Sequence, residues 1–410
     1  MDPVISGAIG STFQAMRHRN FRLWFFGQLV SLIGTWMQTI AQNWLVYELT
    51  GSAAALGMVN FIAAVPLVLF TLYAGTIVDR FDKRRIIFWC QVVMMLLALI
   101  LGLLCWTETV KFWHVLVLAF LLGTAMAIDT PARQAFVVEL VGKEDLSNAI
   151  ALNASVFHSA RIIGPAAAGI LVAAFGVAGA FFLNGISFIA VLFSLYLMDI
   201  ALIRRTGGES ESAKDQLAGI RYLRDNRVPR AILLLITFSS LILMPFYVLV
   251  PIIAKEILGG DAWVYGVLMA SAGAGSFFGS LFAASPRSVK KKGSMLVGSS
   301  LVFPTLLMPL AFVRNYPSTI FVLFLVGFSY VVQNASANAM LQEQVPDHLR
   351  GRVMAIYVSM LLGMMRVGSL LLGWTAEVTS STTALASFAV AGIAASLLVR
   401  KRYPELQKAT

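Results

Sequence analysis

Apolar stretches of about twenty residues recur twelve times along the chain, near 21–47, 53–77, 86–107, 113–136, 148–174, 177–201, 231–256, 262–284, 295–313, 317–340, 353–376 and 382–399. Each has the length that an α-helix needs to cross the hydrocarbon core of a bilayer, about 30 Å at about 1.5 Å per residue. Composition agrees: 59% of the residues are hydrophobic and 12% charged, against about 25% charged in an ordinary soluble domain. A soluble sphere of 410 residues has too little interior for that much apolar side chain, so the solvent is lipid. Secreted, disordered and cytosolic-enzyme classes are thereby excluded. Cys90 and Cys105 fall on one expected helix, about 22 Å apart, too far for a mutual disulfide. Residues 1–20 lack the continuous apolar core of a signal peptide. Instead Ile5, Ile9, Phe13 and Met16 share a face ahead of Arg17, His18 and Arg19, which predicts a short interfacial helix.

The net charge of +11 reports topology rather than a nucleic-acid partner. Lysines and arginines cluster in alternate loops, at Arg17 to Arg22, Arg80 to Arg85, Arg204 to Arg230, Arg287 to Lys292, Arg350 to Arg352 and Arg400 to Lys408. The opposite side carries only Lys111, Lys255 and Arg314. The positive-inside rule then places both termini in the cytoplasm. The long loop from Thr206 to Arg230 opens with Gly and Ser and contains a basic amphipathic stretch with Leu217, Ile220 and Leu223. It divides the chain into an N-terminal segment (1–20), a six-helix bundle (21–203), a linker (204–230), a second six-helix bundle (231–400) and a tail (401–410).

The two halves repeat at an offset near 204. Phe120-Leu-Leu-Gly123 matches Phe324-Leu-Val-Gly327, Gly75 matches Gly279, Glu139 matches Glu343, and Arg161 falls on Arg366 with one added residue. The turn from Glu48 to Gly57 is similar to that from Glu256 to Gly266. Two parallel repeats of six helices suggest a transporter with its site between the halves at mid-membrane.

After the second stretch comes Gly75-Thr-Ile-Val-Asp79-Arg80-Phe-Asp82-Lys83-Arg84-Arg85. This resembles the loop signature of the major facilitator superfamily, Gly-x-x-x-Asp-Arg-x-Gly-Arg-Arg, with Asp82 in the usual glycine place. The resemblance implies that Gly75, Asp79, Arg80 and Arg84 serve a cytoplasmic gate, an acid at a helix end beside arginines able to bind it or another helix's carbonyls. The equivalent loop in the second half keeps its glycine and bases but has Ala283 in place of Asp79. The fifth stretch contains Ala160-Arg161-Ile-Ile-Gly164-Pro165-Ala-Ala-Ala168-Gly169. It resembles the antiporter motif of superfamily exporters at Gly164, Pro165 and Gly169, with alanine at two glycine positions. Small residues permit close helix approach, and proline bends a helix and frees a carbonyl.

Phe21-Arg-Leu-Trp24-Phe-Phe-Gly27-Gln28, Asp129-Thr-Pro131-Ala-Arg133-Gln134, Asn148-Ala-Ile-Ala-Leu-Asn153 and Ala218-Gly-Ile-Arg221-Tyr-Leu-Arg224 are similar to the branch containing enterobactin exporters and transmembrane secretion effectors. The resemblance implies an all-α membrane protein of the major facilitator fold, with twelve transmembrane helices in two pseudo-symmetric six-helix bundles. It also implies a monomer in a bacterial inner membrane that moves a small molecule outward in exchange for protons. No P-loop, metal-ligand cluster or nucleophile–base spacing is present in the sequence, so no cofactor, metal or enzymatic activity is expected.

Polar groups at lipid depth face a bundle interior or a cavity. Gln28, Ser31, Thr35, Gln38 and Gln42 recur at three- and four-residue spacing and form one stripe. Cavity lining is one reading of it and helix–helix hydrogen bonding the other. Asn153, His158 and Arg161 add polarity to the fifth stretch, and Tyr330, Gln333, Asn334 and Asn338 to the tenth. Arg161 and Arg366 lie near mid-span, where an uncompensated arginine costs about 2.5–3.5 kcal/mol or more. Asp129, toward the cytoplasmic end of the fourth stretch, is the one clear intramembrane acid. Two arginines against one aspartate predict a substrate with an anionic group. Asp129 with Arg133 is the candidate for proton coupling, because a buried carboxyl beside an arginine is poised to exchange a proton for substrate; the alternative is a structural pair across a break at Pro131. The readings in play are an exporter of a siderophore-like or drug-like amphiphile, a lysophospholipid flippase, and a polyspecific exporter of cationic drugs.

Overall fold

The computed structural model describes residues 13–142, 144–203, 218–285 and 291–407; the side chains of residues 68, 71–76, 79, 158 and 347–348 lie outside the described set. Among the described residues every regular element is helical. In chain order these are α1 (Arg19–Thr50), α2 (Ala53–Arg80), α3 (Lys83–Trp106), α4 (Phe112–Val141) and α5 (Leu146–Leu197). A short α6 (Ala218–Asp225) precedes α7 (Arg227–Ile257), α8 (Ala262–Ala283), α9 (Lys292–Phe312), α10 (Tyr316–Gln344), α11 (Asp347–Val378) and α12 (Ser381–Arg402).

At 52 residues α5 is two crossings, since about 78 Å of helix cannot fit a core of about 30 Å. It breaks at Gly176, whose φ of 68° belongs to the left-handed region that glycine enters without steric cost. Pro165 causes no such break; helical dihedral angles run through it. With α5 counted once, nine helices are long and apolar enough to cross a membrane among the described residues. The polar stripe sets α1 apart from them, and the described apolar part of α2 is Ala53–Leu67. Together these make the expected twelve crossings. Regularity fails in α7, which passes through a π-turn at Ser239–Leu243 and a 3-10 stretch at Met244–Val248 beside Pro245. The proline supplies the reason, since it cannot donate the next helical hydrogen bond. The interfacial helix expected near residues 5–16 lies mostly outside the described residues; Gln14–Arg17 is a single 3-10 turn.

The chain divides into two compact units, Met1–Gln42 with Ile62–Glu209 and Asn43–Phe61 with Ser210–Thr410. The sequence divide at 204–230 assigns Asn43–Phe61 to the first half, whereas its contacts run to α7, α8 and α11. Glycine explains the close fit. A Cβ at Gly57 would strike the Ser369 carbonyl, and one at Gly373 the Ala53 carbonyl. Trp44 stacks on buried Tyr265 at 6.1 Å, Tyr47 donates to Glu256, and Glu377 accepts from Ser52 Oγ (2.8 Å) at the start of α2.

In the first unit, one end is filled by Phe21, Trp24, Ile87, Phe136 and Leu195. There Lys83 binds Glu139 at 2.8 Å, tying α3 to α4, and His18 meets Asp145 at 2.7 Å. In the second unit the corresponding cluster holds Ile232, Leu296, Met340, Tyr357 and Leu406, joined by Leu223 of α6. Of the amphipathic linker positions, Leu223 is buried and Ile220 exposed; Leu217 lies outside the described residues. Tyr222 donates to the Gln344 carbonyl at 2.9 Å, and burial raises its phenol above the ordinary value, which keeps it a donor. The repeat is visible in the packing. Lys292–Glu343 ties α9 to α10 as Lys83–Glu139 ties α3 to α4, and the matched turns carry left-handed Gly51 (φ 60°) and Gly259 (φ 63°).

Candidate functional site

Inside the first unit, α1, α3 and α4 bring one charged pair and two amides together. α4 runs unbroken through Pro131, contrary to the break expected there, so Asp129 and Arg133 remain one turn apart. Arg133 Nε donates to Asp129 Oδ2, and its Nη1 donates to Gln28 Oε1 on α1. Gln91 of α3 donates to Asp129 Oδ1 at 3.2 Å. The Arg133 guanidinium also lies 5.8 Å from the Trp24 ring centroid. Asp129, Gln28 and Gln91 are all buried. Three polar atoms around the pair are buried without a partner: Trp24 Nε1, Gln28 Nε2 and Gln91 Oε1. A buried orphan of this kind costs about 1–3 kcal/mol unless something else satisfies it.

The repeat partner of this site is neutral. At the offset of 204 that relates Gly123 to Gly327, Asp129 falls on Gln333 and Arg133 on Ala337. Gln333 is fully buried and donates to Ser239 Oγ of the π-turn at 2.6 Å.

The α1 stripe is divided between roles. Gln28 bonds Arg133, and buried Gln38 accepts from Asn184 of α5, so both make helix–helix hydrogen bonds. Thr35 donates to the carbonyl of buried Ser31 at 2.9 Å, and Gln42 is half-buried. On α5, Asn153 is half-buried and Arg161 lies 5.7 Å from the Trp36 ring centroid. Buried Gly164 packs so closely on α1 that a Cβ would crowd Trp36 and come 3.0 Å from the Ile33 carbonyl. Pro165 and Gly169 are buried beside it. In the second unit, Asn334 donates to the Tyr330 carbonyl at 3.0 Å, Asn338 accepts from Gln342, and Arg366 donates to Asn60 Oδ1 at 3.0 Å.

The backbone at Gly75, Asp79 and His158 is helical, and what their side positions contact lies outside the described residues. Arg80 is exposed at the end of α2. Arg84 donates through Nε (2.9 Å) and Nη2 (2.6 Å) to the Leu195 carbonyl, capping the last turn of α5 within its own unit. Asp82, the departure from the signature, accepts from the Arg85 amide at 3.0 Å as the N-cap of α3. Charge-assisted bonds of this type contribute about 1.5–3 kcal/mol each. Arg84→Gln should therefore lower the thermal midpoint of the purified protein by several degrees, and an unchanged midpoint would show the cap to be idle.

Sequence reasoning overlooked Gln91, Asn184, Asn43, Asn60 and Glu377. A signal existed for three of them: Gln91, Asn60 and Asn184 are single amides inside otherwise apolar runs. The two cysteines are free, as their shared helix requires. Among the described residues no group of three His, Cys, Asp or Glu side chains has metal-site geometry.

The chain is similar over most of its length to known membrane transporters. Residues 10–409 match the family model described as transmembrane secretion effector. The staphyloferrin A transporter of Staphylococcus aureus is 28% identical over 87% of this chain and 89% of its own length. Macrolide efflux protein A of Streptococcus pyogenes is 25% identical over 87% and 90%, and the multidrug efflux pump Tap of Mycolicibacterium fortuitum 25% over 86% and 88%. Among solved structures, a bacterial homologue of the human lysosomal transporter Spinster, inward-facing and occupied, superposes with a TM-score of 0.73 at 12% identity, covering 95% of this chain and 96% of that one. A nucleoside transporter superposes with a TM-score of 0.71 at 13% identity, covering 94% and 99%. At such identities these two speak for the fold alone. The protein is a multi-pass membrane transporter, not an enzyme, and belongs to the transmembrane secretion effector family of the major facilitator superfamily.

Proposed function

We propose that the chain is a secondary-active exporter, working by alternating access of its halves, that exchanges protons for a small amphiphilic molecule bearing an anionic or zwitterionic group. It works as a monomer in a bacterial inner membrane with both termini cytoplasmic, the side marked by its basic loops. The stripe residues left free of helix–helix bonds line the substrate path with Asn153, His158, Arg161, Asn334 and Arg366. Gly75, Asp79, Arg80 and Arg84 serve the cytoplasmic gate, so Asp79→Asn slows turnover and spares binding.

The observation that carries the reading is the Asp129–Arg133 pair, buried among spanning helices and held by Gln28 and Gln91. A carboxylate that exchanges its arginine for a proton changes the charge of the site by one unit at membrane depth, where charge is costly. The orphaned Trp24 Nε1, Gln28 Nε2 and Gln91 Oε1 are suitable partners for the waters that would bring that proton. In proteoliposomes, Asp129→Asn should abolish substrate accumulation driven by a pH gradient while sparing substrate-for-substrate exchange. Full gradient-driven accumulation by Asp129→Asn would remove the proton role. The macrolide and multidrug relatives favour a second reading, export of drugs; a cationic dye accumulated in place of anionic amphiphiles would select it.

A further inference from the structure

Arg366 stands in the middle of α11, and its hydrogen-bond partner among the described residues is neutral. Its Nη1 donates to Asn60 Oδ1 at 3.0 Å, and among the described residues no carboxylate forms an ion pair with it. A guanidinium has five N–H donors, and at membrane depth a cation held by one amide oxygen is poorly compensated. Arg161, the other arginine expected near mid-span, lies against the Trp36 ring and has a further interaction of its own.

What surrounds Arg366 is short of acceptors. Asn60 in turn spends its amide on Asn43 Oδ1 (3.2 Å) and on the Leu56 carbonyl (2.9 Å). Beside Asn43 lies the Tyr265 hydroxyl, fully buried and without a well-formed hydrogen bond. Trp44 stacks on that tyrosine's ring, and Lys255 lies 5.4 Å from the Trp44 ring centroid. Spare donors, two cations and an aromatic wall are thus gathered along Asn43–Phe61 and its contacts with α7, α8 and α11, all within the second unit, while two carboxylates that meet the same segment are engaged elsewhere, Glu256 by Tyr47 and Glu377 by Ser52. Such a site suits an oxyanion attached to an apolar or flat body.

We infer that Arg366 seats a carboxylate of the transported molecule, and that Asn60 Oδ1 holds the place of a carboxylate oxygen while the seat is empty. The inference rests on the exporter reading and names the group its substrate must carry. An arriving carboxylate offers two charged acceptor oxygens where Asn60 offers one neutral oxygen, so it displaces the amide from the guanidinium. Asn60 is then released from α11, which ties occupancy of the seat to the docking of Asn43–Phe61.

The test is a charge exchange at one atom. Asn60→Asp supplies a permanent carboxylate against Arg366 with little change of shape, Arg366→Gln removes the cation, and Asn60→Ala empties the place. Purified proteins would be titrated with citrate, 2,3-dihydroxybenzoate, decanoate and tetraphenylphosphonium, with thermal midpoint and tryptophan fluorescence as readouts. At least one of the three carboxylates should stabilise the wild type and Asn60→Ala. It should bind Asn60→Asp and Arg366→Gln about tenfold or more weakly, a change worth about 1.4 kcal/mol. Asn60→Asp alone should show a higher midpoint without ligand, because its buried cation is already paired, which also establishes that it folds. Equal carboxylate binding by wild type and Asn60→Asp, or none by the wild type, overturns the seat. Proton-driven transport of tetraphenylphosphonium by a wild type that ignores all three carboxylates would discard the seat and leave the exporter intact. Loss of gradient dependence with the seat confirmed would do the reverse.

Discussion

Arg133→Met should destabilise the protein by about 3–5 kcal/mol, the usual cost of removing one partner from a buried ion pair. The side chain is asked to do three things at once. It neutralises Asp129, satisfies Gln28 Oε1 and covers the Trp24 ring. Methionine recovers some of the packing and none of the hydrogen bonds, so among the described residues Asp129 is left with the Gln91 amide as its donor. The double variant Arg133→Met/Asp129→Asn removes both charges, and most of the lost stability should return, because a neutral pair carries no uncompensated charge. Proton-driven transport should not return with it. Thermal unfolding in detergent measures the first effect and a pH-gradient assay in proteoliposomes the second. Recovery of both in the double variant would mean that the pair is structural and that protons couple elsewhere.

Gly327→Val should abolish the folded protein, and Gly123→Val should do the same from the first unit. Each glycine lies directly on a backbone carbonyl of a neighbouring helix, Gly327 on Ala272 of α8 and Gly123 on Ala63 of α2. Gly275 returns the contact against Phe324, so α8 and α10 are locked backbone to backbone. A core side chain can rotate away from an added methyl, and overpacking then costs about 1–3 kcal/mol. A carbonyl inside a helix has no such freedom, and the two helices must separate along their length. In lipid this loss is serious, since close packing and interhelical hydrogen bonds are what hold helices together there. Gly298→Ala on α9 is the control, with nothing within 4 Å of its Cβ; it should be neutral or gain up to about 1 kcal/mol of helix propensity. Yield of monodisperse protein after detergent extraction reads all three. Well-folded Gly327→Val would refute the close-contact account of the repeated Phe-Leu-x-Gly motif.

The same motif shows what kind of information a linear chain holds. Phe120 to Gly123 and Phe324 to Gly327 are recognisable as repeats by eye, as are the turns at Gly51 and Gly259, because a backbone that must adopt left-handed dihedrals or touch a carbonyl admits glycine almost alone. The charged pair was legible for a related reason. An acid and an arginine four residues apart in an apolar helix have one another within reach whatever else surrounds them. Gln91 was not, because it lies on a different helix and only the packing of α3 on α4 brings its amide to Asp129. The stripe on α1 illustrates the limit most clearly. Its spacing put Gln28 and Gln38 on one face, but whether that face met water, substrate or another helix depended on Arg133 and Asn184, which are more than a hundred residues away.

Hydrophobicity, length and the distribution of lysine and arginine determined by themselves that this chain crosses a membrane twelve times as two repeats, because lipid admits almost no other answer for such a sequence. Its motifs were enough to place it in its superfamily. Only the tertiary structure decided how the polar atoms inside the bundles were spent. It carried α4 unbroken through Pro131, gave Arg84 to the Leu195 carbonyl, gathered Asn43–Phe61 with α7, α8 and α11, and gave Arg366 the amide oxygen of Asn60. Those outcomes depend on which helix faces meet, and the energy of a buried polar group is set by its partner rather than by its own identity.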